Sequence, residues 1–127
     1  MTEPTALILY GFLVLLTLLL QATGALTQLG MGYLLGSRDE GRTVQGIAAR
    51  LERALSNSVT AMVLFAPAVL LIMQTESSTN QSMLAAQAFL VARLVYLPAY
   101  TFGITGLRSL AWTVGFFATV LLYFLAL

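Results

Sequence analysis

Four apolar stretches, each close to the length of a bilayer crossing, divide almost the whole chain between them, and nothing else in the sequence restricts its fold so strongly. A helix that crosses a bilayer needs about 20 mostly apolar residues at ~1.5 Å rise each. The first stretch runs from about Ala6 to Leu29, with a less apolar tail to Leu35. The second is most apolar from Val59 to Met73, and its helix is expected to begin earlier, near Val44. The third runs from about Ser82 to Phe102 and the fourth from about Leu107 to Leu127. The chain is 59% hydrophobic and only 9% charged, against roughly a quarter charged in soluble domains. The expected fold is an all-α membrane protein, a four-transmembrane-helix bundle with residues 1–127 as one domain and spans of about 6–35, 44–73, 82–102 and 107–127. The start, MTEPT, lacks the positive charge of a secretory signal, so it is read as leading into a retained first span.

The connections are short and unlike one another. GSRDEGRT, from Gly36 to Thr43, is the charged loop one; QTESSTNQ, from Gln74 to Gln81, is loop two; GITG, from Gly103 to Gly106, is a tight glycine-bounded turn. Arg38, Arg42, Arg50 and Arg53 lie in or beside loop one, and Arg108 lies beside the third connection. Loop two and both ends of the chain have no Arg or Lys. The positive-inside rule therefore predicts loops one and three in the cytoplasm and both termini outside, in a multi-pass protein.

What is missing narrows the chemistry. With no Cys and no His, the chain has no disulfide, no thiol or imidazole of its own, no His-ligated haem and none of the usual zinc sites. No metal is expected, and a net charge of +1 argues against a nucleic-acid partner. Any chemistry falls to Arg, Tyr, Asn and Ser, or to a reactive group brought by a ligand.

Two polar stripes interrupt the apolar helices. In RLERALSNSVT, Arg50, Arg53, Asn57 and Thr60 step by three, four and three, which places them on one helical face, with Glu52 off it. In ARLVYLPAY, Arg93, Tyr96 and Tyr100 repeat the pattern. Arg93 stands near the middle of its span, where an arginine costs about 2.5–3.5 kcal/mol on insertion scales. It requires a partner, and neither Glu52 nor Glu76 is obviously within reach. Taken singly, Arg50 and Arg53 could snorkel to lipid phosphates, Asn57 could join two helices, and Tyr96 and Tyr100 could belong to an interfacial belt. Taken together with Arg108, the stripes converge on one end of the bundle. They form a cationic, hydrogen-bonding group whose complement is an anionic ligand.

Other polar and aromatic residues are read structurally. Gly32 and Gly36 form a GxxxG that permits close helix contact. Gln21, Thr23, Thr27 and Gln28 could line a subunit interface or the same site. Trp112 is read as an interfacial anchor, and Phe116, Phe117, Tyr123 and Phe124 as packing or lipid-facing.

RxxRAxxN followed by Phe65, then ARxxYxxxY, then GLRSLAW, resembles the membrane-associated proteins in eicosanoid and glutathione metabolism (MAPEG), in particular the short bacterial members. The resemblance covers nearly the whole chain. It implies a homotrimer in a bacterial inner membrane that binds glutathione, as co-substrate, near the cytoplasmic face between neighbouring subunits. By this resemblance Arg53, Asn57, Arg93, Tyr96 and Tyr100 would hold the tripeptide, Arg38 matches a loop arginine that reaches it, and Arg108 would be catalytic by stabilising the thiolate. With Arg50 and Thr60 from the first stripe, these make up the candidate site. The family pattern commonly has Glu where this chain has Thr60.

The implied activity is glutathione-dependent transfer or peroxide reduction on a lipophilic small-molecule substrate arriving from the membrane lipids. A non-catalytic membrane protein of the same fold, binding a lipid or small anion, is the alternative, and Thr60 motivates it. A small multidrug-type exporter also has four short spans, but proton coupling needs a carboxylate inside a span. All five acids here lie at the termini, in loops or on the shoulder of the second span.

Overall fold

The computed structural model describes all 127 residues. Every regular element is a helix: α1 (Glu3–Leu29), α2 (Met31–Leu35), α3 (Gly46–Gln74), α4 (Asn80–Thr101) and α5 (Thr105–Ala126). α1, α3, α4 and α5 are each long and apolar enough to cross a membrane. Large apolar side chains such as Phe12, Leu19, Val63 and Phe117 point outward, as a hydrocarbon solvent permits.

α4 is the most enclosed helix; it packs against α1, α3 and α5. The interior arginine is on this helix, with neighbours on three sides to supply partners. The core of the bundle is aromatic and small together. Phe65 and Phe89 stack with ring centroids 3.8 Å apart, and Tyr10 meets Phe89 edge-on at 4.8 Å. Ala6, Ala68, Ala86 and Ala118 fill the space around them. Close approach between α1 and α3 occurs where Gly24 faces Ala48: any side chain at Gly24 would put its Cβ 3.1 Å from that of Ala48. Gly32 has open space around it and Gly36 meets only carbonyls of α2, so the GxxxG joins no second helix within the chain.

The first apolar stretch is split at Gly30, which ends α1 and starts the short α2. Tyr33 then organises the charged loop. Its hydroxyl accepts the Arg42 N–H at 2.7 Å and donates to the Arg38 carbonyl at 3.2 Å, while the Arg42 guanidinium lies over its ring. The Gln28 side chain donates to the Gln45 carbonyl at 3.0 Å and accepts the Gln45 N–H at 2.8 Å, tying the start of α3 to α1. Thr23 and Thr27 turn their hydroxyls onto carbonyls of α1 itself.

At the opposite end, Thr79 and Ser82 form a capping box at the start of α4. Glu3 is buried there, accepting from the hydroxyls of Ser78 (2.8 Å) and Ser82. α1 is thereby stapled to α4.

The α4–α5 turn decides how the two stripes meet. Gly103 has φ +75°, its N–H bonds to Tyr100 O at 3.2 Å, and the Ile104 N–H reaches Ala99 O at 2.8 Å. This is a Schellman ending, which needs a left-handed residue at the position Gly103 occupies. The chain reverses at once, and Arg108 is brought back beside the last turn of α4.

Candidate functional site

Arg93 is 3% exposed and is held by neutral groups alone. Its Nη1 donates to Asn57 Oδ1 at 2.9 Å and its Nη2 to Ser58 Oγ at 3.0 Å, both on α3. Its guanidinium lies over the Tyr96 ring, 4.0 Å from the centroid. Its Nε has no hydrogen-bond partner. The partners are thus Asn57 and Ser58 rather than Glu52 or Glu76. Ser58 is further fixed by Tyr10, whose hydroxyl donates to the Ser58 carbonyl at 2.7 Å. A buried guanidinium without an anion keeps a desolvation cost that hydrogen bonds and a ring face only partly offset.

From Arg93 the site extends toward the α4–α5 turn as alternating cations and rings. The Tyr96 and Tyr100 rings are tilted, with centroids 5.6 Å apart. Arg108 lies over the Tyr100 ring at 4.8 Å, and Arg53 Nε donates to the Tyr100 hydroxyl at 3.2 Å. Three helices contribute one arginine each: Arg53 from α3, Arg93 from α4 and Arg108 from α5. The single ion pair of the chain is Arg42–Glu40, exposed in the loop, so none of these three arginines is paired with a carboxylate.

A cavity of about 310 Å³ opens between α3, α4 and α5 below this group. Asn57, Thr60 and Arg93 form its polar head, and Phe89, Phe116, Tyr123 and Leu64 form much of its apolar wall. A smaller recess, about 180 Å³, lies against Tyr96, Arg108, Ser109, Trp112 and Thr113. Trp112 borders both spaces.

The structure therefore gathers Arg53, Asn57, Thr60, Arg93, Tyr96, Tyr100 and Arg108. Arg50 lies on the same helix face but is turned to the α4–α5 turn: Nη1 is 3.5 Å from Thr101 O, and the guanidinium packs beside Gly103. That position complements the negative end of the α4 dipole. Arg38 has φ +59° and donates from Nε and Nη2 to Leu34 O, so within the chain it is tied back to the end of α2.

Sequence reasoning missed Ser58, Tyr10 and the cavity-lining role of Trp112, Phe116 and Tyr123. A signal existed for Tyr10, a hydroxyl inside an aliphatic span that had to find an acceptor. None existed for Trp112 and Phe116, whose outward and inward faces look alike on an apolar helix. Tyr123 donates to Leu64 O at 2.7 Å, one turn before Pro67, where the proline weakens the ladder of α3.

A family model, that of the MAPEG family, matches residues 5–127, essentially the whole chain. No curated protein and no solved structure matches it. The chain belongs to the MAPEG family, and with four helices of membrane-crossing length it is a multi-pass integral membrane protein.

Proposed function

We propose that this MAPEG-family chain is a glutathione-dependent transferase, with reduction of lipid hydroperoxides as the companion reaction, acting as a homotrimer at the cytoplasmic face of a bacterial inner membrane. The observation that carries this reading is the grouping of Arg53, Arg93 and Arg108, none paired with a carboxylate, on the Tyr96–Tyr100 pair, with Arg93 also at the head of an apolar cavity. Glutathione is complementary to it, having two carboxylates for the guanidiniums and a thiol that the chain itself lacks.

Arg53 and Arg93, with Asn57 and the two tyrosines, bind and orient the tripeptide. Arg108 faces the sulfur. A guanidinium beside a thiol favours the thiolate, whose ordinary pKa is about 8.5. In conjugation the thiol proton passes to water, the sulfur forms a bond to the electrophilic carbon, and the leaving group departs with its electron pair. In peroxide reduction the thiolate sulfur bonds to the terminal hydroperoxide oxygen as the O–O bond breaks, which gives the sulfenic acid, and the alkoxide leaves and takes a proton from water to become the alcohol. A second glutathione then displaces water to give the disulfide. The apolar acceptor enters from the bilayer through the cavity.

Calorimetric titration of the detergent-purified protein with glutathione, alongside turnover of a lipophilic aryl halide, tests this. Binding that is lost in Arg53→Ala, and conjugation that is lost in Arg108→Ala, are the expected results. Conjugation undiminished in Arg108→Ala would remove that residue's role. Specific binding of a fatty acid with no thiol turnover would replace the enzyme with the non-catalytic, anion-binding alternative.

A further inference from the structure

The cavity between α3, α4 and α5 has a direction. At one end stand Arg93 and Asn57, joined at 2.9 Å. Away from them each helix carries one last lining residue: Leu64 on α3, Phe89 on α4 and Tyr123 on α5. Phe89 is backed by the stacked ring of Phe65. Tyr123 crosses to α3, where its hydroxyl donates to Leu64 O at 2.7 Å. That bond ties α5 to α3 across the far end, so the cavity has a floor as well as a head.

Between head and floor the lining acts as an apolar wall. Three hydroxyls border the space, and each turns its proton onto a backbone carbonyl: Thr60 onto Ser56 O at 3.1 Å, Thr119 onto Gly115 O at 2.9 Å, and Tyr123 onto Leu64 O. The length follows from the helices. Asn57 and Leu64 are seven residues apart on α3, and Trp112 and Tyr123 eleven apart on α5. That is about 10–16 Å of helix, room for about eight to twelve carbons of an extended chain. A volume of about 310 Å³ is at the small end of ligand pockets and holds one such chain rather than two.

We infer that the cavity selects the electrophile by shape: a reactive group at one end and a single unbranched, unsubstituted tail of about eight to twelve carbons, with Tyr123 as the residue that sets the limit. The inference rests on the glutathione-dependent reading above. It adds the acceptor class and a specificity-determining residue on the part of α5 farthest from Arg108. The reactive group stays at the head, beside the glutathione sulfur, and the tail runs down to the Tyr123 ring.

The test is kcat/KM of the intact protein, in detergent, for glutathione addition to straight-chain 2-enals whose tails run from three to fifteen carbons. The sulfur bonds to the β-carbon, the double-bond pair moves to the α-carbon, and that carbon takes a proton from water. A micelle is as apolar as the cavity, so the dependence on length reports fit rather than transfer out of water. The expected result is a maximum at a tail of about eight to twelve carbons. Tyr123→Ala should move the maximum about two to four carbons longer, the depth of the ring it removes. Ala61→Phe, which adds a ring to the cavity wall, should move it shorter, and it carries the test alone if Tyr123→Ala does not fold. A purely structural role of Tyr123 would lower the rate alike at every length. That outcome, or a wild-type rate that keeps rising to the longest tail, would overturn the inference and leave the glutathione-dependent function standing. No addition to any enal by the wild-type protein would overturn both.

Discussion

Arg93 and Asn57 join α4 to α3 through a 2.9 Å hydrogen bond inside the bundle, and the charge of the pair is nowhere neutralised. The consequence is an asymmetry between removing one partner and removing both. Asn57→Leu leaves a guanidinium hydrogen unsatisfied next to apolar walls. Bonds to charged groups are worth about 1.5–3 kcal/mol, whereas hydrogen bonds between membrane helices average ~0.6. The burial of Arg93 favours the upper range, so a loss of about 1.5 kcal/mol is expected. Arg93→Met removes the desolvated charge together with its bonds and should cost less. The double variant should then recover most of the Asn57→Leu loss, with a coupling of about 1 kcal/mol in a thermal-unfolding cycle. Strictly additive losses would show that the bond contributes nothing of its own.

Arg50 and Arg53 are separated by one helical step and have different tasks in the structure. Arg53 reaches Tyr100 in the site, while Arg50 packs on the turn at Gly103. A Cβ at Gly103 would lie 3.2 Å from Arg50 Nη1 and would be forced to φ +75°. Gly103→Ala should therefore destabilise by about 1–2 kcal/mol. Adding Arg50→Ala should relieve the contact but not the backbone strain, so the pair should be less than additive. Arg50→Ala alone should leave glutathione affinity within about twofold of wild type, since an exposed arginine outside the site contributes little to binding. A large loss of affinity in Arg50→Ala would place that side chain in the site after all.

Glu3 sets the far end of the bundle. It is 1% exposed and accepts from Ser78 and Ser82, while the Ser82 oxygen also accepts the Thr79 N–H at 2.7 Å. Glu3→Gln replaces an acceptor with a donor that faces these hydroxyls. A destabilisation of about 1–2 kcal/mol is expected, with faster hydrogen exchange in the first turn of α1 and the start of α4. Glutathione affinity should not change, because the arginines lie at the other end. Altered affinity would mean that the two ends are coupled.

The four long apolar helices were legible, because the length and apolarity of a membrane helix are written in consecutive residues, but the break at Gly30 that divides the first expected span into α1 and α2 was not. The two stripes were legible for the same local reason: helical spacing assigns a face. What spacing cannot assign is the partner across the interface. Arg93 was recognisable as needing one, yet Asn57 and Ser58 are adjacent residues on another helix, and only the packing of α3 against α4 selects them over an acid. Arg50 was placed with Arg53 because they share a face; the turn at Gly103 separates their roles. Tyr10 and Glu3 looked like an ordinary aromatic and an ordinary terminal acid. Their partners, Ser58 and Ser82, lie far along the chain.

Arg108 provides the sharpest test of the chemistry. It lies over the Tyr100 ring with no hydrogen-bond acceptor and no carboxylate beside it, so its charge is available to an anion. If it stabilises the glutathione thiolate, the bound thiol loses its proton below the ordinary value of about 8.5, and the rate plateaus near neutral pH. Removing the guanidinium in Arg108→Ala returns the thiol toward that ordinary value. At pH 7 the thiolate fraction then falls, and each unit of restored pKa costs up to about tenfold in rate. At pH 9 the free thiol is largely ionised without help, so the variant should recover most of this part of its deficit. Arg108→Lys keeps the charge and should fall between the two. The measurement is kcat/KM for conjugation between pH 6 and 10 for all three proteins. A deficit in Arg108→Ala that is equal at every pH would assign the residue to binding or packing rather than to the sulfur.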